Sequence, residues 1–74
     1  MSRAIWLEKI VDSAIEMRNA LMVAYSDAQA TEMGLRWLQD NLKYNGGATE
    51  ATEMYVDAVR AEYYATLVQD WDVA

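Results

Sequence analysis

The chain of 74 residues has no cysteine, no histidine, no proline and no phenylalanine, and only three glycines. Without cysteine there are no disulfide staples and no thiolate nucleophile. Without histidine, imidazole metal sites and the commonest general base go as well. No run of about 18 apolar residues marks a membrane span. The apolar start Ile5-Trp6-Leu7 is cut short by Glu8 and Lys9, so it does not read as a signal peptide, and the expected location is cytoplasmic. Basic charge is also scarce. The net charge is −6, and residues 48–74 carry six acids against Arg60 alone, whereas residues 1–47 hold six acids against five bases. Such a surface repels a phosphate backbone, which argues against direct nucleic-acid binding and in favour of basic partners.

What is present is apolar and helical. The hydrophobic fraction is 54%, yet a single domain of this size buries only about 60% of the surface its unfolded chain exposes, so association is a natural supplement to its stability. All eight aromatic residues are Trp or Tyr. Every ring therefore has a polar tip that needs a partner or water, a composition suited to boundaries and interfaces.

Periodicity predicts three helices, at about 3–25, 28–44 and 50–71, packed as an all-α three-helix bundle in one domain over residues 1–74, with dimerisation as a means of completing it. Ser2 is placed to cap the first helix. Its apolar face runs through Leu7, Ile10, Val11, Ala14, Ile15, Met17, Leu21, Met22 and Tyr25. Arg18 projects from the middle of that face. It is read as an arginine whose stem covers the core and whose head reaches a neighbouring carboxylate, or as an inter-helix or inter-subunit pair with an acid of the last helix. Ser26 and Gln29 have capping-box spacing. The apolar face then turns to Ala30, Met33, Gly34, Trp37 and Leu38, which favours two helices joined near 26–28; one continuous helix in a swapped dimer is the alternative. Gly34, inside the second helix, predicts close approach by a neighbour. Asn45-Gly46-Gly47 is the stop signal, and Thr49 is the expected cap of the third helix, with Glu50 and Glu53 in its first turn.

The third helix carries two apolar stripes. Met54, Ala58, Ala61, Ala65 and Val68 form a ridge of mostly small residues, assigned to the core against the first helix. Tyr55, Val59 and Tyr63, edged by Val56 and Leu67, form the other, assigned to a partner or a second copy. The reverse assignment is the alternative, because the tyrosine stripe has more area to bury.

Catalytic patterns fail at the level of residue type. There is no Ser-His or Cys-His pair, no phosphate-binding glycine loop and no calcium loop. Glu50, Glu53 and Asp57 share a helical face but lack the histidines of helical di-metal sites. No enzyme activity, cofactor or metal is expected. The same three acids, stepping by about 4.5 and 6 Å along the helix, make a row of negative charge suited to a basic groove such as that of a nuclease or effector complex. Tyr55, Tyr63 and Trp71 are the candidate anchors beside it. In size, charge, helicity and lack of cysteine the chain resembles the small proteins that bacteriophages use to block host defence systems, anti-CRISPR proteins among them. That resemblance, which rests on overall profile and on no motif, implies a stoichiometric inhibitor of a larger complex. The alternatives are a structural or regulatory homo-oligomer with no inhibitory role, joined through Tyr55, Val59 and Tyr63, and a binder of a small ligand at a subunit interface.

Overall fold

The computed structural model describes residues 3–43 and 46–73, without the side chains of Arg3 and of residues 66–73. It is an all-α bundle of three helices, α1 (Arg3–Leu21), α2 (Asp27–Leu42) and α3 (Ala48–Val73), in which every helix packs on the other two. The expected cap at Ser2 and boundary at Tyr44, and the expected core or anchor roles of Leu67, Val68 and Trp71, fall outside what is described.

The first helix ends at Leu21, four residues earlier than its periodicity predicts. The chain leaves it through tight turns, with the Val23 and Ala24 amides donating to the Ala20 and Leu21 carbonyls at 3.4 and 3.0 Å. Met22 and Tyr25, expected on the buried face, are exposed with Val23. The early exit brings the start of α2 back within reach of Arg18, as described below. Ser26 then caps α2 as its spacing predicts. Its hydroxyl accepts from the Gln29 amide, and the Gln29 side chain accepts from the Ser26 amide. Helices α1 and α2 are thus separate elements.

Helix α2 ends at Leu42, and Gly46 and Gly47 both take positive φ, 79° and 81°, a backbone region open to glycine at no steric penalty. The Gly46 amide closes on the Leu42 carbonyl at 3.1 Å, and the Gly47 carbonyl accepts from Ala51 at 2.9 Å. Gly47 therefore occupies the cap position of α3, and Thr49, the expected cap, lies inside the first turn. This also moves Glu53 out of the first turn, where Glu50 remains as the acid matched to the helix dipole.

The core consists of Leu7, Val11 and Ala14 from α1, Leu38 and Leu42 from α2, and Ala51 and Tyr55 from α3, with Ala30 also buried. Neither stripe of α3 is the core as a whole: the buried face runs between them, from Ala51 and Tyr55 to the half-buried Met54, Ala58 and Val59, and leaves Tyr63 exposed. Tyr55 is fully buried, whereas Ala61 and Ala65 are exposed and Met54 and Ala58 half-buried. The small residues that admit the Tyr55 ring lie opposite it, on the other two helices. A Cβ added at Gly34 would stand 2.6 Å from the Tyr55 hydroxyl, 3.1 Å from the Ala14 carbonyl oxygen and 3.3 Å from the Arg18 Cβ. Gly34 is the gap through which the phenol passes.

Gly34→Ala therefore sets a gain in helix propensity of about 1 kcal/mol against overpacking that costs about 1–3 kcal/mol. The contacts lie below van der Waals distance and two of the three involve backbone or a stem carbon, so net destabilisation is expected. Urea denaturation of the parent and variant chains measures it, and a variant more stable than the parent would show that the gap has another origin.

Candidate functional site

Two surfaces and one buried junction make up the part of the molecule in which function is to be sought. The junction fixes the geometry of the surfaces. Arg18, only 6% exposed, sends its guanidinium to three helices at once. Nε donates to the Thr31 hydroxyl at 2.8 Å, one terminal nitrogen pairs with Asp27 at 2.7 Å, and the other reaches Glu62 of α3 at 3.1 Å and Asn19 at 2.8 Å. Both sequence readings of Arg18 hold together: its stem is buried, and its head pairs with an acid of the last helix. The Tyr55 hydroxyl donates to the Thr31 backbone carbonyl at 2.7 Å, so Thr31 is tied to α1 through its side chain and to α3 through its main chain. Among the described residues no buried side-chain polar atom lacks a partner. Burial pushes the Tyr55 phenol above its ordinary value of 10.0, against a smaller opposing pull from the Arg18 charge.

The outer face of α3 lies opposite this junction. Glu50, Glu53 and Asp57 are all exposed, and Arg60 and Tyr64 continue the same face at helical spacing. Among the described residues no cation pairs with Glu53 or Asp57, and no carboxylate pairs with Arg60. Nor do His, Cys, Asp and Glu side chains gather there, or elsewhere among the described residues, into a group of three able to hold a metal ion. Tyr64 is 58% exposed and stands edge-on to Tyr63, with ring centroids 5.9 Å apart. Sequence reasoning passed over Tyr64, although its place seven residues after Asp57 puts it on the acidic face.

The second surface is a groove of about 690 Å³ between α2 and α3. Its apolar lining includes Ala28, Leu35, Val56, Val59 and Tyr63, and Asp27, Glu32 and Arg60 stand at its margins. Val56 and Tyr63 are exposed and Val59 half-buried. Of the residues expected to meet a partner or a second copy, Tyr55 is thus withdrawn: its ring fills the core and its hydroxyl is used within the chain. Val59 and Tyr63 remain on the surface, joined by Val56 and the α2 side of the groove. The groove itself was not legible in the sequence, because it depends on how two helices approach each other. No helix of the described residues is long and apolar enough to cross a membrane.

Comparison of the chain with protein families, with curated proteins and with solved structures returns no match.

Two measurements test the junction. Asp27 and Glu62 are themselves half-exposed or more, so Asp27→Asn and Glu62→Gln should each cost no more than about 1 kcal/mol. The double variant leaves the buried guanidinium without a carboxylate and should cost more than the sum, a coupling that urea denaturation of the four chains reads directly. For Tyr55, the raised folded value means the native state holds its proton more tightly than the unfolded chain. The stabilisation is complete below about pH 10 and is lost as pH rises through the folded value. Phenolate absorbance should show one tyrosine ionising above the rest in the folded protein, and Tyr55→Phe should remove that step and flatten the alkaline fall in stability.

Proposed function

We propose that this protein is a non-catalytic inhibitor that sets the acidic outer face of α3 against a basic, nucleic-acid-binding surface of a larger complex, in the manner of phage anti-defence proteins such as anti-CRISPRs. The observation that carries this reading is the position of Glu53 and Asp57. They are exposed, one turn apart and without a cation partner among the described residues. Glu53 also lies beyond the first turn, where helix-dipole matching accounts for an acid. Two such carboxylates on a preformed helix present negative charge with no cost for ordering the backbone. Each pair formed with a Lys or Arg at about 4 Å is worth from about 1 kcal/mol in bulk water to about 4 kcal/mol near a protein surface.

Tyr64, and Tyr63 beside it, supply the apolar and hydrogen-bonding part of the contact, of the kind that dominates protein interfaces. The carboxylates steer and orient, and the rings hold. Inhibition on this reading is occlusion: the acidic helix occupies a channel whose Lys and Arg residues otherwise track phosphates. Arg60 interrupts the row and limits how far a uniformly basic groove extends along α3. Glu50, Glu53, Asp57, Tyr63 and Tyr64 are the contact residues, with Trp71 of the original set lying beyond the described side chains. A partner of this type also explains the charge asymmetry between the two parts of the chain, which packing does not require.

The immobilised protein should retain nucleic-acid-binding proteins from a bacterial host lysate, in a manner reversed by salt and by added nucleic acid. Glu53→Lys combined with Asp57→Lys should weaken that retention by roughly tenfold or more while leaving the thermal unfolding midpoint in place, since both side chains are exposed. Retention that survives the reversal, or that nucleic acid does not compete, overturns the reading.

A further inference from the structure

We infer that the groove between α2 and α3 seats a second copy of this chain, the two α3 helices lying antiparallel about a two-fold axis that passes near Asp57 and Ala58. The first ground is shape. Val56, Val59 and Tyr63 form one apolar strip along the groove side of α3, and Ala28 and Leu35 of α2 form its other wall. A helix laid along that strip covers Val56 and Tyr63, which are 37% and 59% exposed in the single chain. With Val56 opposite the partner's Val59, Tyr63 falls opposite the partner's Thr52. About twenty residues of each helix, roughly 30 Å, then run side by side.

The second ground is charge. Arg60 stands at the margin of the groove with no carboxylate partner among the described residues, and Glu53 and Asp57 stand on the same helix with no cation. Within one helix these three do not satisfy one another. In the antiparallel pairing each Arg60 lies between the partner's Glu53 and the partner's Asp57 along the helix axis, and the arrangement repeats across the two-fold. A parallel pairing places Arg60 beside the partner's Arg60 and each acid beside its own copy, which is repulsive throughout. The charge pattern of α3 is thus self-complementary in one direction and self-opposed in the other.

The third ground is length. Glu62 meets Arg18 only three residues before the end of α1, yet α3 continues to Val73. The molecule is accordingly elongated, 47 × 26 × 17 Å. In the antiparallel pair the part of each α3 beyond Glu62 runs beside the start of the partner's α3, so that the overhang of one copy is flanked by the other.

The dimer is read from mass alone, without reference to any inhibited complex, so its test is separate from that of the inhibitor reading, although both draw on Glu53, Asp57 and Tyr63 and the two contacts compete for them. Sedimentation equilibrium of the full chain, from micromolar to millimolar concentration, should show a shift from 8.4 kDa towards twice that mass. Tyr63→Glu, at an exposed position, should raise the dissociation constant by roughly tenfold or more by placing a carboxylate in the apolar strip, with circular dichroism showing the helices intact. The decisive variant pair is Arg60→Glu in one chain and Glu53→Arg with Asp57→Arg in the other. Each alone should dimerise more weakly than the parent chain, and an equimolar mixture should recover the heterodimer. A monomer at every concentration overturns the proposal. So does a dimer that Tyr63→Glu leaves unchanged, or one in which the mixed pair has no advantage over either variant alone.

Discussion

The buried guanidinium of Arg18 is the constraint on which the rest of the bundle depends. A charge that is 6% exposed must be hydrogen-bonded and paired or the fold does not persist. Its partners are Asn19 of α1 itself, Asp27 and Thr31 of α2 and Glu62 of α3, so satisfying it constrains where the three helices meet. The early end of α1 and the placement of Glu62 both bring carboxylates to it, while Ser26 caps α2 through its own local pattern. Thr31 takes part twice, through its hydroxyl to Arg18 and its carbonyl to Tyr55. In a domain with no disulfide and a small apolar core, this polar junction supplies the uniqueness that hydrophobic packing alone supplies poorly.

The junction also sorts the surfaces of α3. Once Tyr55 and Glu62 point inward, helical spacing sends Glu53, Asp57 and Tyr64 outward and leaves Val56, Val59 and Tyr63 on the flank towards α2. The acidic face and the apolar groove are therefore adjacent on one helix. A foreign basic surface and a second copy make overlapping demands on that helix: both use the charge of Glu53 and Asp57, and the second copy also packs along its flank. The two uses meet at Arg60, which lies at the edge of both.

Much of this architecture is legible in the sequence. Three helices, the capping box at Ser26 and Gln29, the glycine stop, the need for close approach at Gly34 and the pairing of Arg18 with an acid of the last helix all follow from local rules whose range is a few residues or one helical face. The failures share a different origin. The assignment of the alanine ridge of α3 to the core assumed that small residues mark the helix that packs closely, but here the small residues Gly34 and Ala14 lie on the opposing helices and receive a large ring. Complementarity between two faces is a property of the pair, and a stripe read by itself does not reveal which member is the knob and which the hole. The end of α1 was missed because its apolar periodicity continues through Met22 and Tyr25, and the reason to stop, a salt bridge to Asp27, is tertiary. The cap at Thr49 gave way to Gly47, whose carbonyl already accepts from Ala51, so that the helix starts two residues sooner.

The contact between Gly34 and the Tyr55 hydroxyl has an evolutionary consequence. With a Cβ at position 34 standing 2.6 Å from that oxygen, the two sites are not free to drift independently. A lineage that acquires alanine at position 34 comes under pressure to lose the hydroxyl at position 55, and one that first acquires phenylalanine at 55 loses the tightest of the three contacts that keep glycine at 34. Among descendants of this chain the two positions should covary more strongly than their separation of more than twenty residues suggests, which makes the pair a marker by which distant relatives sharing this bundle can be told from unrelated three-helix proteins.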